Sequence, residues 1–244
     1  MTLRAVIFDL DGTLRHTQPS WPDIFLATAQ RYGVQVTPET RRRLKRWAHR
    51  FWASSDELKE MLRTYGESDA FWLAYTRRRL ELLGCPPDKA AALAPRIYAD
   101  LRDHEPHVED VVPPQVPETL ADLRRRGYHL ALLTNRREPL NGYLDEIGLA
   151  EYFDPVLVAG ELGAWKPNPT AFLHAVERLG LSPPQAAYVG DNLYADVLGA
   201  QAAGLQPILL DREGLFPEAP CPVLTCIAQL PQVLEQLNRG SASS

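Results

Sequence analysis

Asp9 and Asp11 stand two residues apart at the end of the apolar run Ala5, Val6, Ile7 and Phe8, in the stretch AVIFDLDGTL. An unbroken apolar run suits a central parallel strand covered on both faces, which puts both carboxylates at its carboxyl end. Open α/β sheets receive ligands in the crevice beyond those strand ends. Neighbouring carboxylates repel one another there unless a positive charge lies between them, and a divalent cation is the obvious candidate. Other polar groups recur at corresponding places. Thr134 and Asn135 close the apolar run HLALLTN, Asp191 closes AAYVGD, and Asp196 follows one helical turn later. Lys166 lies in AWKPNP, the loop after the strand PVLVAG. These groups comprise a nucleophilic carboxylate, a second carboxylate for proton transfer, hydroxyl and amide donors, a fixed cation and further metal-binding carboxylate. Such a set is what phosphoryl transfer requires.

The elements that must position these residues follow from pattern and punctuation. From about residue 117 onward a helix ending at Gly127 leads into HLALLTN, a helix ending near Gly148 into PVLVAG, a helix ending near Gly180 into AAYVGD, and a helix ending near Gly204 into PILLD. Four successive helix and strand units, joined to the first strand, predict an α/β fold: a doubly wound, Rossmann-like parallel sheet. The segment CPVLTCIAQLPQVLEQL adds one edge strand and one helix. Residues 19 to 104 carry helix signals only: Ser20 before Trp21 and Pro22, Thr37 before Pro38, a capping box from Ser54 to Glu57, Ser68 opening a longer helix, and a last one from Pro87 to Arg102. An all-helical cap subdomain over residues 17–105 is therefore expected, inserted into a catalytic core of residues 1–16 and 106–240. The proline-rich, acidic segment 103 to 117 is expected as the returning linker, and residues 241–244 as a disordered tail. A helical insertion at a strand's carboxyl end is placed to act as a lid.

Bulk properties narrow the classes. The chain has 244 residues, 45% of them hydrophobic, enough for a sizeable core. A net charge of -5 argues against nucleic-acid binding. Cys85, Cys221 and Cys226 form no disulfide framework and read as reduced thiols of a cytoplasmic protein. The amino terminus is too acidic for a signal peptide, and no apolar stretch reaches membrane-spanning length, so neither a membrane nor a nucleic acid is an expected partner.

The motifs also carry a family resemblance. FDLDGTL, LLTN, KPNP and VGDNLYAD, in this order, resemble the four signature motifs of the haloacid dehalogenase superfamily of aspartate-nucleophile hydrolases, over essentially the whole chain. A helical cap between the first two motifs is that superfamily's commonest arrangement. About thirty residues separate Asn135 from Lys166, too few for the alternative cap. The resemblance implies that Asp9 attacks phosphorus and that Asp11 serves as acid and then base. It implies magnesium held by the Asp9 and Asp191 carboxylates and the Asp11 backbone carbonyl. Thr134, Asn135 and Lys166 would bind the phosphoryl group, with Gly12, Thr13 and Asp196 behind them. Asp196 is left between touching the metal through water and orienting Lys166. A phosphatase for a small phosphorylated metabolite is the leading expectation. A β-phosphoglucomutase-like phosphosugar mutase and a non-catalytic phosphate-metabolite binding protein are the alternatives. The presence of Asp11 argues against dehalogenation, and none of Lys45, Lys59 and Lys89 stands out as a Schiff-base lysine.

Other conspicuous residues have plainer readings. His104 and His107, in HEPH, are expected as solvent-exposed linker histidines. His16 is balanced between facing substrate and lying on the hinge surface. The arginines at 41–43 and 77–79 are expected on solvated helix faces. Trp21, Trp47, Trp52 and Trp72 are expected mainly in the core of the cap.

Overall fold

The structure is a computed structural model that describes residues 2–104 and 107–242. Two compact units are formed, one by Met1–His16 with Val112–Ser244 and the other by Thr17–Val111.

The first unit is built on a six-stranded sheet with order β5-β4-β1-β6-β7-β8, comprising β1 (Ala5–Phe8), β4 (His129–Thr134), β5 (Val156–Val158), β6 (Ala186–Gly190), β7 (Gln206–Leu210) and β8 (Val223–Leu224). Every pairing in it is parallel, with Phe8 opposite Leu132 on one side and Val189 on the other. The chain leaves β1 toward β4 and β5 and later returns to its other side for β6, β7 and β8, so the switch point of the sheet lies at β1. Alternation along β1 feeds two cores. Val6 and Phe8 pack with Leu130, Leu132 and Val189, while Ala5 and Ile7 pack with Ala131, Leu133 and Tyr188. All four β1 residues are fully buried, which is why this strand shows no polar alternation. Helices α6 (Gln115–Arg125), α7 (Tyr143–Glu146), α8 (Ala159–Leu162), α9 (Pro169–Arg178), α10 (Leu198–Ala202) and α11 (Leu230–Ala242) complete the unit.

The second unit holds α1 (Trp21–Arg31), α2 (Pro38–Trp52), α3 (Asp56–Tyr65), α4 (Asp69–Leu82) and α5 (Pro87–His104). One core joins Ile24, Phe25, Leu44, Leu80, Leu83 and Ile97. A second, aromatic cluster gathers Phe51, Phe71 and Tyr75 with Trp47, whose ring stacks on Tyr75 at 5.4 Å. Helix α3 buries no residue fully and leans on that cluster through Leu58, Met61 and Leu62.

Several expectations are corrected. The helix at 56 is capped by Ser55, whose side chain accepts the Leu58 N–H at 3.0 Å. Glu57 makes no capping box and instead accepts from Trp47 Nε1 and Arg78 Nε, each at 2.8 Å. Trp21, Trp52 and Trp72 are about two-fifths exposed rather than core residues, because the smaller Phe51 and Tyr75 fill the interior. Arg79 is not on a solvated face: its guanidinium lies over Phe25 at 3.9 Å and Tyr75 at 4.4 Å. The stretch read as linker contains strand β3 (Glu109–Val111), which pairs with β2 (His16–Gln18), and it also contains the first turn of α6. Residues 241 and 242, expected in a tail, continue α11, while 243 and 244 lie outside the described residues. The HEPH stretch falls partly outside them too, with His104 ending α5.

Candidate active site

Asp9 follows the last residue of β1 and is only 5% exposed. Its Oδ1 accepts a hydrogen bond from Lys166 Nζ at 2.7 Å, and its Oδ2 accepts from Thr13 Oγ1 at 3.0 Å. Lys166, 1% exposed, also donates to Asp196 Oδ1 at 2.7 Å and to the Tyr188 hydroxyl at 2.8 Å. The Tyr188 hydroxyl in turn donates to the Leu133 carbonyl at 3.0 Å, so the ammonium is anchored through β6 to β4. The loop carrying Lys166 is clamped by one side-chain amide. Asn135 Oδ1 accepts the Lys166 N–H at 2.8 Å and Asn135 Nδ2 donates to the Lys166 carbonyl at 2.9 Å.

Asp196 sits on a single π turn, Leu193–Val197, at whose start Asn192 accepts from the Tyr194 and Ala195 N–H groups. Such turns interrupt α-helical geometry and re-aim a side chain. Here Asp196 Oδ2 accepts the Asn192 N–H at 2.9 Å while Oδ1 takes Lys166. Asp196 thus orients the lysine, and it also belongs with Asp9 and Asp191 to a group whose ligand oxygens all lie within 4.8 Å of one another. Two glycines make room for this crowd. Gly12 has φ +90°, and a Cβ there would stand 2.5 Å from Asp191 Oδ2. A Cβ on Gly190 would overlap the Asp196 carboxyl. Thr134, 1% exposed, closes β4 at the same sheet edge.

Asp11 is held apart from this cluster. Its two oxygens accept Arg136 Nε and Nη2, each at 2.8 Å, and Arg15 makes a further ion pair with it. The Arg136 guanidinium lies over the Tyr143 ring at 4.2 Å. Arg212 reaches back to the Gly12 and Thr13 carbonyls and so ties down the turn after the first strand. His16 opens β2 and is half-buried.

The electrostatics divide along the same line. Burial pushes the Asp9 carboxyl up to about 7, and the charges of Asp196 and Asp11 add to that rise while Lys166 opposes it. Burial and the charges of Asp9 and Asp196 hold Asp191 well above the carboxylate range. Burial alone would lower Lys166, but the facing Asp196 and Asp9 carboxylates outweigh it and raise it. For Asp11, burial is overcome by the Arg136 hydrogen bonds and the Arg15 and Arg136 charges, which hold it below the usual range. The cluster of Asp9, Asp191 and Asp196 is an all-oxygen donor set short of positive charge, which fits a hard divalent cation.

Asp9, Thr13, Lys166, Asp191 and Asp196 are therefore brought together, with Gly12, Thr134 and Asn135 around them. The Asp11 carboxylate is the one expected site group directed elsewhere. Tyr188, Arg136, Arg15 and Arg212 were not expected at all. For Tyr188 a signal existed: a hydroxyl in an otherwise apolar buried strand needs a partner. For Arg136 the signal was its place directly after Thr134 and Asn135.

A family model described as haloacid dehalogenase-like hydrolase matches residues 3–204. A phosphoserine phosphatase of Thermus thermophilus is 41% identical over 149 residues, which cover 59% of this chain and 55% of that protein. The chain thus spans little more than half the length of that relative. A ribulose-1,5-bisphosphate 5-phosphatase of Halopiger xanaduensis is 32% identical over 213 residues, covering 85% of this chain and 84% of that one. Among solved structures, a 2-haloacid dehalogenase from Pseudomonas syringae superposes with a TM-score of 0.57 at 27% identity, over 97% of this chain and all of that one.

Proposed function

Since the chain belongs to the haloacid dehalogenase-like hydrolases, we propose that it is a magnesium-dependent phosphatase of a small phosphorylated metabolite, working through an aspartyl-phosphate on Asp9. The observation that carries this reading is the placement of Asp9: buried at the end of the central strand, bonded to Lys166 and Thr13, and grouped with two further carboxylates. The named activities of the phosphatase relatives support the same chemistry.

In this mechanism an Asp9 carboxylate oxygen forms a bond to phosphorus as the bond from phosphorus to the alcohol oxygen breaks. Asp11, released from its arginines and protonated from solvent, gives that proton to the departing oxygen, and the alcohol leaves. Water then attacks phosphorus, its proton passes to Asp11, and the acyl-phosphate bond breaks to release phosphate and regenerate Asp9. Lys166 holds Asp9 in place and presents fixed positive charge where the phosphoryl oxygens gather negative charge. Thr134 supplies a hydroxyl at the same edge, and Asn135 keeps the lysine loop in register. Asp9 and Asp191 would hold the magnesium with the Asp11 carbonyl, and Asp196 stands behind. Bound there, the ion would offset the repulsion between an anionic nucleophile and an anionic phosphate.

The deciding measurement is phosphate release from a panel of phosphorylated metabolites, with and without magnesium, by the native protein and by Asp9→Asn. Release that requires both the ion and Asp9 is the expected result. Release that persists in Asp9→Asn would remove Asp9 as nucleophile. No release from any panel member, with glucose phosphates also left unisomerised, would overturn the enzymatic reading.

A further inference from the structure

We propose that Arg136, with Arg15 beside it, is the receptor for a carboxylate on the leaving group, and that Asp11 occupies this receptor until the substrate displaces it. The inference rests on the phosphatase reading above and adds the chemical class of its substrate: monoesters of small hydroxy acids, with a carboxylate close to the ester oxygen.

Arg136 meets Asp11 through Nε and Nη2, each 2.8 Å from a different carboxylate oxygen. That side-on fork is the arrangement in which a guanidinium matches a planar carboxylate. Stacking on the Tyr143 ring fixes the plane of the fork. Arg15 pairs with the same carboxylate, so two cations converge on one anion. The place is also open to exchange. The Arg136 side chain is 25% exposed and that of Asp11 37%, whereas Asp9 and Lys166 are closed off. Arg136 lies two residues beyond Thr134, which closes β4, the strand beside β1, so the fork is at the reacting edge of the sheet.

The catalytic role of Asp11 makes this arrangement informative. While the fork holds it, the Asp11 carboxylate is turned toward Arg136 and Arg15 rather than toward the Asp9 cluster where the ester would react. Asp11 must leave the fork before it can serve the leaving group, and the Arg136 guanidinium would then give up both of its charge-assisted bonds to a carboxylate. A substrate carboxylate restores those two bonds to Arg136; a neutral alcohol does not. Exchange of one carboxylate for another therefore frees Asp11 only when the right kind of substrate has arrived. Arg136 is in this sense a specificity-determining residue, and the release of Asp11 is coupled to recognition.

The test compares O-phosphoserine with O-phosphoethanolamine, which differ by one carboxylate, in the native protein, Arg136→Met and Arg136→Lys with magnesium present. The native protein is expected to favour O-phosphoserine by about a hundredfold in kcat/KM, since a site built around a bidentate polar contact rejects the analogue that lacks it. Arg136→Met should bring the two within about threefold. The KM for O-phosphoserine should rise, and the kcat for O-phosphoethanolamine should also rise, because Asp11 is held by one arginine fewer. Arg136→Lys, which keeps a charge without the fork, should fall between, and it decides the matter alone if the methionine variant does not fold. A native protein without preference, or a preference that survives both substitutions, overturns the inference. An Arg136-dependent preference for a second phosphate, read with propane-1,3-diol bisphosphate against its monophosphate, overturns the carboxylate assignment. Hydrolysis of 4-nitrophenyl phosphate but of neither matched ester sinks this inference and leaves the phosphatase reading standing. Hydrolysis of none of them sinks that reading as well.

Discussion

Changing the pH between 5 and 8 should alter both the stability of the metal-free protein and its affinity for magnesium, through Asp9. The Asp9 carboxyl is pushed up to about 7, chiefly by burial. A folded-state value above the unfolded one means that the native protein holds the extra proton, so its stability falls as pH rises through the window from about 4 to about 7. The full shift of roughly three units corresponds to at most about 4 kcal/mol by pH 8. Magnesium requires the ionised carboxylate. Asp9 is about one-tenth ionised at pH 6 and about nine-tenths at pH 8, so the apparent affinity should rise about tenfold over that range from this group alone. Asp191, raised in the same direction, adds to the slope. The assay is urea denaturation of metal-free protein at pH 5, 6, 7 and 8, with magnesium titration calorimetry in two buffers to count released protons. Asp9→Asn isolates the Asp9 share. That control matters because His16 is held below its usual range by burial and by the charges of Arg212 and Arg15, and it tilts stability the other way in part of the window. If native protein and Asp9→Asn show the same pH slope, or if magnesium affinity is level from pH 6 to 8, the electrostatic reading of the site is wrong.

Lys166→Met leaves the buried Asp9 and Asp196 carboxylates facing one another without their cation, and should cost about 3–5 kcal/mol in urea denaturation at pH 8; part of that loss should return at pH 5, where Asp9 is protonated. Tyr188→Phe removes the hydroxyl that joins Lys166 to the Leu133 carbonyl and should cost about 1–3 kcal/mol by the same assay. Gly12→Ala brings a Cβ against Asp191 at a left-handed backbone position, and calorimetry should show magnesium affinity weakened by about tenfold or more. Phe51→Ala empties the centre of the aromatic cluster in the helical unit and should lower its unfolding free energy by about 3–5 kcal/mol, read by tryptophan fluorescence.

Features carried by local pattern were legible in the sequence. The apolar runs of β1, β4 and β6 could be read because a strand buried on both faces admits few polar residues, and the polar or charged residues that end them therefore stand out. Lys166 and Asp196 could be placed at the reacting edge, and orientation of the lysine by Asp196 was one of two roles left open, but their mutual hydrogen bond could not be chosen over the other role. It depends on a π turn, which has no composition of its own. Arg136 and Asp11 lie 125 residues apart in the chain, and only the pairing of β1 with β4 brings them together. The three-residue strands β2 and β3 are too short to show alternation. The helical unit misled in a different way: its tryptophans are apolar enough to suggest a core, yet the interior is filled by Phe51, Phe71 and Tyr75. Which aromatic of such a set is buried depends on how the helices meet rather than on hydropathy.

The charges at the strand ends also account for the order in which this site could be filled. Asp9 and Asp196 share the Lys166 ammonium, and Asp191 feels the charges of Lys166 and Arg212, so negative charge in excess of positive builds up as Asp9 and Asp191 ionise around a buried centre. A phosphate dianion entering such a region would meet repulsion strengthened by the low dielectric around it. One divalent cation cancels the excess, and the same burial that opposes ionisation of Asp9 then favours its pairing with the metal. The group formed by Asp11, Arg136 and Arg15 has the opposite balance, with two cations on one anion, and it is more open to solvent. An anionic substrate is therefore drawn first to the exposed positive group and reaches the buried negative one only when a cation is in place. On the proposed mechanism, recognition of the leaving group and access to the nucleophile would fall to separate clusters, with Asp11 as the residue that passes from one to the other.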